Sequence, residues 1–447
     1  MKQAKNTILE GAIFPALMKF SIPILCSLIL QTLYGTVDLW MVSQFSTTAD
    51  ISAVSTGSQT IMIAAGFVTG LSMGITVLLG QSVGERNDRQ GADLIGTGAW
   101  IFLGLGVLLT GGVILAAPWL AGVLHAPQQA FDLTVQYIQI CGAGTIFVVA
   151  FNVLNGIFCG LGDSRTPLIF VAIACVVNVV GDGVLIAGLG LGTAGAAIAT
   201  ISAQAVSVIC CLCVIRKRLP FAFGWQNFRF HTPLAMGILR LGAPVALLRM
   251  CSEISYLLVL GFVNTLGVEV SSGVGIAEKL VLFIMLIPMA YMSSISAFVA
   301  QNVGAQQPER AKRSLWIGMA TSVTIGGVMA YITFFHGDTL SALFVEDAAV
   351  IAISAEFLKA TAIECLILSL AYCYDGYFNG VEKTTFVMVQ GVIASLLVRV
   401  PYAYFASTRP EPSIFQIGFS SALAAIFMLL LCSLRYGWES WKDRHPR

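Results

Sequence analysis

The sequence predicts an all-α polytopic membrane protein with twelve transmembrane helices in two pseudo-symmetric six-helix lobes. Three observations carry this: a composition too apolar for water, a chain-long series of long apolar runs, and an internal repeat of about 220 residues. Of 447 residues, 57% are hydrophobic and only 11% charged, where a soluble domain carries about a quarter charged residues. A water-exposed surface cannot be built from so few charges, which excludes a soluble enzyme, a nucleic-acid binder and a disordered scaffold. Lys and Arg (24) nearly cancel Asp and Glu (23), so no polyanion-binding signal exists.

At roughly 20 residues per span plus a loop, the length holds about a dozen spans. Apolar runs bounded by charges, glycines and prolines fall at 15–42, 53–80, 93–116, 133–158, 167–188, 193–215, 239–265, 273–300, 314–336, 353–379, 385–406 and 413–435. Runs this long suit spanning helices and exclude a barrel of alternating strands. The N-terminal stretch has a basic start without a small-residue cleavage site and reads as a tail leading into the first span. The 11 cysteines are scattered through apolar runs, with Cys210, Cys211 and Cys213 inside one. Free cysteine in such a helix behaves as a small hydrophobe, and no disulfide or metal role is expected.

Loop charge sets the orientation. One set of loops carries Arg86, Arg89, Arg165, Arg216, Lys217, Arg218, Arg229, Arg310, Lys312, Arg313 and Lys383, and both termini join it through Lys2, Lys5, Arg435, Lys442, Arg444 and Arg447. The opposite set has Arg409 alone beside Asp50, Asp132, Glu269, Asp338, Glu346 and Asp347. The bias places both termini in the cytoplasm of a multi-pass cell-membrane protein, which requires an even number of spans.

A shift of about 220 aligns the halves almost without gaps: Gln81-Ser82-Val83-Gly84 falls on Gln301-Asn302-Val303-Gly304, and Phe158-Cys159-Gly160 on Phe378-Asn379-Gly380. Pro23 corresponds to Pro244 near the start of the first span of each half. The expected organisation is an N-lobe over 1–220, a cytoplasmic linker over 221–238 and a C-lobe with a tail over 239–447. Parallel repeats of this kind are frequent in secondary transporters, with the substrate path between the halves. The linker's charges are those of an ordinary surface loop, with no lipid or partner role expected.

Ionisable groups inside spans are costly, so each is a functional candidate. Asn178 and Asp182 are four apart and share a helix face. At 1.5 Å per residue, Asp38 lies about 6 Å, Asp182 about 9 Å and Thr200 about 10 Å from the same end of their spans. Two carboxylates, an amide and a hydroxyl thus reach one level. Oxygen-only ligation suits a hard cation such as Na⁺, and paired carboxylates equally suit a shared proton; the alternative is a polar cluster that only packs helices. In the second half, Glu253, Glu364 and Asp375 are the candidates for a substrate or proton site. Arg249 and Glu253 at i, i+4 allow local neutralisation, as do Glu278-Lys279 and Glu356 with Lys359. Met285, Met289 and Met292 read as helix packing. No nucleophile, metal set or cofactor motif points to an enzyme.

These motifs together resemble the multidrug and toxic compound extrusion (MATE) transporters, over nearly the full length. The resemblance rests on Ile22-Pro23 followed by Val37-Asp38, on the two Gln-x-Val-Gly segments at 81–84 and 301–304, on Gly160-Leu161-Gly162-Asp163-Ser164-Arg165-Thr166-Pro167, on Asn178-x-x-x-Asp182 and on Gly192-x-x-Gly195-Ala196-Ala197-Ile198-Ala199-Thr200. It implies two six-helix lobes around a V-shaped central cleft and export of cationic or amphipathic small molecules against Na⁺ or H⁺, with no other cofactor, by a monomer among membrane lipids. Asp38, Asn178, Asp182 and Thr200 match the family's N-lobe coupling-ion positions, and Glu253 and Asp375 are similar to its C-lobe carboxylates. The chain departs from the family pattern at Trp40 and in placing Arg249 one turn before Glu253. A lipid-linked precursor flippase of the related superfamily is the alternative; it calls for an arginine-rich cleft, for which this sequence offers Arg249 and Arg399. A channel, built from rings of like residues, fits the unlike halves less well.

Overall fold

The computed structural model describes residues 8–445. Lys2, Lys5 and Arg447, counted above with the basic termini, lie outside the described residues, as does the Arg216 side chain. The described residues form helices and connecting loops, with no strand. The first six long helices are α1 (Ile13–Phe45), α2 (Thr48–Gly84), α3 (Asp88–Val123), α4 (Phe131–Ala143 and Thr145–Leu161), α5 (Arg165–Gly188) and α6 (Gly192–Arg218). The second six are α7 (Thr232–Asn264), α8 (Val268–Gly304), α9 (Pro308–Phe335), α10 (Ala348–Gly380), α11 (Thr384–Ser407) and α12 (Ile414–Arg444). Ten are long and apolar enough to cross a membrane, and α4, bent by 48° at its break, makes eleven. The remaining helix, α10, matches α1 at 33 residues, but Glu356, Lys359, Glu364 and Asp375 interrupt its apolar run. It is the twelfth long helix among the described residues.

Local chemistry fixes the helix ends. Thr47 and Asp50 close a reciprocal cap on α2, the Asp50 N–H donating to Thr47 Oγ1 (3.3 Å) and the Thr47 N–H to Asp50 Oδ2 (3.1 Å). Asn87, Asp347 and Ser413 accept first-turn N–H groups at the starts of α3, α10 and α12. Two further features were not expected from the apolar runs: π-helical segments at Gly183–Gly188 in α5 and Ile393–Arg399 in α11.

The chain forms two compact units. One comprises Ile22–Ala246; the other joins the described residues up to Ser21 with Leu247 onward. The divisions therefore fall inside α1, beside Pro23, and inside α7, just after Pro244.

Within the Ile22–Ala246 unit, α2 and α4 touch through glycine. A Cβ at Gly156 would lie 3.2 Å from the Ser72 carbonyl oxygen, and one at Gly160 only 2.8 Å from that of Thr76. The Thr76 hydroxyl donates to the Gly156 carbonyl (3.0 Å) at this contact. The other unit repeats the arrangement between α8 and α10. A Cβ at Gly376 would lie 2.5 Å from the Met292 carbonyl oxygen, and one at Gly380 2.8 Å from that of Ser296. Small residues four apart let helix backbones approach where lipid supplies no hydrophobic drive for association. Turn geometry repeats as well. Arg86 and Gln306, at corresponding positions after α2 and α8, are both left-handed (φ 56° and 58°), and Gly162 (φ 82°) corresponds to Glu382 (φ 63°). Duplication kept the backbone path even where it gave up the glycine.

The segment between α6 and α7 is bound along α3. Trp100 Nε1 donates to the Phe228 carbonyl (3.1 Å), Thr97 Oγ1 to the Arg229 carbonyl (3.3 Å), and Asn227 Nδ2 to Asp93 Oδ1 (3.0 Å). Phe221 and Phe223 pack against the apolar core formed by α2, α3 and α4. A Cβ at Gly96 would collide with the Asn227 carbonyl. The connection is a fixed strap with α7 already helical from Thr232, ahead of the expected start at 239.

Three expected local charge pairings do not form. The ion pairs among the described residues are Lys312 with Glu309 and Asp443, and Glu439 with Lys383 and Arg435, all in loops or helix ends of the basic set. Neighbours such as Glu278 and Lys279 project from different faces and cannot meet. Glu356 instead accepts the Phe415 N–H (3.2 Å) at the start of α12, where orphan amides favour a carboxylate. Arg249 and Glu253 stay apart although their spacing allows contact.

Gly376→Ala is expected to lower the thermal unfolding midpoint in detergent, by a penalty on the order of 1–3 kcal/mol for overpacking against the Met292 carbonyl. Gly104→Ala, where a Cβ meets nothing within 4 Å, is expected to leave it unchanged or raise it slightly through helix propensity. Equal behaviour of the two variants in the same melting assay counts against the close α8–α10 contact.

Candidate functional site

In the Ile22–Ala246 unit the structure brings Asp38 on α1, Asn178 and Asp182 on α5, and Thr200 on α6 to one point. Gly181 makes this approach feasible: a Cβ there would sit 3.0 Å from the Ala199 Cβ, so α5 and α6 close on each other beside Asp182 and Thr200. Thr200 Oγ1 donates to Asp38 Oδ2 (2.8 Å) and receives a long bond from Asn178 Nδ2 (3.5 Å). One turn further along α1 and α6, Gln204 Nε2 donates to the Tyr34 hydroxyl (3.1 Å). The Asp38 and Asp182 carboxylates face one another. Tyr137 and Cys141 stand near Asp38 and belong to an apolar cluster with Val42, Val54, Ile186 and Ala196.

The cluster is short of donors. Asp38, Asn178 and Asp182 are all buried. Yet Asp38 Oδ1, Asn178 Oδ1 and both Asp182 carboxylate oxygens have no hydrogen-bond partner. Four buried acceptors around one point, two of them on the same carboxylate, carry a large desolvation cost unless a proton or cation joins them. The π-helical turn begins directly after Asp182, and such turns often accompany functional sites. Among the described residues no group of three or more His, Cys, Asp or Glu gathers as a metal site, because half of this donor set is an amide and a hydroxyl.

Asp50, read from sequence only as an outer-loop charge, holds the frame. Its Oδ1 accepts both the N–H (3.0 Å) and the hydroxyl (2.6 Å) of Thr193, tying the start of α6 to the start of α2. Gly192 adopts φ +51°, and a Cβ there would lie 2.6 Å from that carboxylate oxygen.

The second-half candidates do not assemble in the same way. Asp375 is buried on α10, where Oδ1 accepts from Gln390 Nε2 on α11 (2.9 Å) and from Cys432 Sγ on α12 (3.7 Å). Glu253 is exposed and makes no ion pair with Arg249. Glu364, half-buried on α10, stands near Arg399. Sequence reasoning named Glu278 but set it aside for a local pairing; it stands near Tyr256 and Arg399. The available signal was its position inside an apolar run, discounted there because of the adjacent Lys279. Gln390 and Cys432 gave no signal, since neither carries charge.

The family model described as MatE matches the chain twice, over residues 23–184 and 244–405. The two matches begin at the corresponding prolines Pro23 and Pro244 and together cover most of both halves. Among similar curated proteins is the "Probable multidrug resistance protein YpnP" of Bacillus subtilis, 25% identical over 97% of each chain. Another is the "FAD transporter" of Shewanella oneidensis, 23% identical over 90% of each. A solved structure of the outward-facing conformation of a multidrug resistance MATE family transporter superposes with a TM-score of 0.90 at 20% identity, covering 98% of this chain and 99% of the other. The repeat, the helical fold and the twofold family match agree: the chain belongs to the MatE family of multidrug efflux transporters, and it is a multi-pass membrane transporter, not an enzyme.

Proposed function

We propose that this transporter exports organic cations by alternating access, as an antiporter in the cell membrane with both termini in the cytoplasm, and that Na⁺ or H⁺ enters through the Asp38–Asn178–Asp182–Thr200 site. The observation that carries the coupling role is the set of four buried oxygens without a donor. A proton shared between the two carboxylates satisfies part of the set. A Na⁺ ion suits the whole set better, because the neutral Asn178 amide oxygen, with the Thr200 hydroxyl beside it, can complete the shell that two carboxylates begin. Either ion removes one of the site's two negative charges, which loosens its hold on a cationic cargo. The membrane potential contributes about 2.3 kcal/mol per charge per 100 mV, so it drives export when the entering ions carry more charge than the departing cargo.

The excess of carboxylates over arginines in the spans favours cationic cargo over the lipid-linked anions of a flippase. One relative is named for FAD, an anionic molecule, so the direction of this charge balance is what assigns cargo here. Glu253, Glu364 and Asp375 are the carboxylates of the second half that support cargo or proton binding, with Glu278 added by its position.

Asp38→Asn is expected to abolish active export while leaving membrane insertion intact. The check is drug resistance in cells beside the amount of protein in isolated membranes. A well-inserted variant that keeps full resistance overturns the coupling role.

Thr200→Val separates the two ions. Efflux from proteoliposomes driven by a Na⁺ gradient alone is expected to fall about tenfold or more, the scale of losing one ligand worth about 1.4 kcal/mol. Efflux driven by a pH gradient alone is expected to fall far less, because both carboxylates remain. Equal losses in the two modes assign Thr200 to helix packing.

A further inference from the structure

The acidic groups of the two units differ in one respect that bears on cargo. Asp38 and Asp182 face each other with no basic side chain among their partners. Three acids within the helices of the other unit stand near arginines. Asp375 has Arg249 as its nearby positive charge. Glu278 on α8 and Glu364 on α10 share a single one, Arg399 on α11.

Arg399 is held in an unusual way. It is the last residue of the π-helical segment Ile393–Arg399. That segment is fastened to α7: Ser255 Oγ donates to the Ser395 carbonyl (2.7 Å), and the Ser252 and Ser395 hydroxyls lie 3.4 Å apart. A Cβ at Gly391 would press on Leu248 at 2.5 Å, so the helices cannot be closer. The guanidinium carbon lies 5.9 Å from the centroid of the Tyr256 ring on α7. This is a cation–π distance. Arg399 forms no ion pair with either glutamate, and its Nε is buried without an acceptor. Tyr256, Glu278, Glu364 and Arg399 are each half-buried, so a molecule can reach them.

Charge counting gives the consequence. Two carboxylates against one guanidinium leave one negative charge uncompensated, in a setting where such a charge is expensive. A guanidinium resting on an aromatic face beside two acids occupies the place that an aromatic-stacking organic cation would take. We propose that Arg399 is a resident cation of the Glu278–Glu364 cluster, displaced toward one glutamate when cargo binds, so that the cluster selects molecules carrying a single positive charge. The inference rests on the cation-export reading above and adds to it the charge class of the cargo and the residue that sets it.

The test uses the purified full-length protein in detergent and two dyes of the same aromatic nucleus, ethidium with one positive charge and propidium with two, read by fluorescence anisotropy. Wild type is expected to bind ethidium more tightly than propidium. Arg399→Gln removes the resident cation and is expected to shift the ratio of the two Kd values toward propidium by roughly tenfold or more, since the second charge of propidium no longer meets a like charge. Arg399→Lys, which keeps the charge, is expected to retain the wild-type preference. Glu278→Gln is expected to weaken ethidium binding, and the double variant Glu278→Gln/Arg399→Gln to restore it, because the net charge of the cluster returns to its original value.

An unchanged ratio in Arg399→Gln, or a double variant that binds ethidium as weakly as Glu278→Gln alone, overturns the proposal while leaving cation export standing. Should Arg399→Gln fail to fold, undiminished ethidium binding by Glu278→Gln overturns it equally. If no form of the protein binds either dye, the cation-export reading itself falls and takes the role of Arg399 with it.

Discussion

Hydrocarbon supplies no hydrogen bonds, and the architecture of this protein follows from that absence. Every backbone amide within the spans must find its carbonyl inside the same helix, so the chain is built of long helices with side-chain caps where the ladders end. The same condition applies to side chains. An Asp or Asn directed toward lipid has no partner, which is why Asp38, Asn178, Asp182, Asp375 and Gln390 all sit inside their units. Among the polar groups that remain unsatisfied there, Asp38, Asn178 and Asp182 stand together, and that is where an ion has something to gain.

Burying such groups requires helices to come close, and close approach depends on small residues. Gly156 and Gly160 against α2, and Gly376 and Gly380 against α8, form the same contact in the two units. Gly181 does the equivalent for α5 and α6 at the Asp182 level. Packing and site chemistry are therefore linked: the glycine that brings two helices together also decides which polar side chains meet. Asp50 extends this logic beyond the core by tying α6 to α2 through Thr193.

Duplication preserved that frame and let the chemistry diverge. Paired left-handed turns at Arg86 and Gln306, and matching glycine contacts, show two copies of one backbone plan. The ionisable residues do not follow the repeat. One unit holds two carboxylates with neutral oxygen donors; the other sets Asp375 near Arg249, and Glu278 and Glu364 near Arg399. A bare acid pair suits a small ion that must be fully surrounded. Acids already shadowed by guanidinium groups suit a larger cation that competes with a side chain for its place.

Much of this was legible in the residues alone. Span length, the apolar surplus and the repeat depend on composition and periodicity, which a linear chain displays directly. Asp38, Asn178, Asp182 and Thr200 could be brought to one level by counting residues along helices, because helical rise is constant. Partner choice was not legible. Arg249 and Glu253 have ideal spacing and stay apart, whereas Glu278 passes over its neighbour for groups on α7 and α11. The fixed strap at 221–231, the bend in α4 and the π-helical turns were likewise hidden. Sequence by itself determined the twelve helices, their duplication and the level of the first acidic pair, since these follow from local geometry and solvent. Tertiary structure decided which charges face which, because that depends on how closely two helices pack and on the rotation each adopts about its own axis.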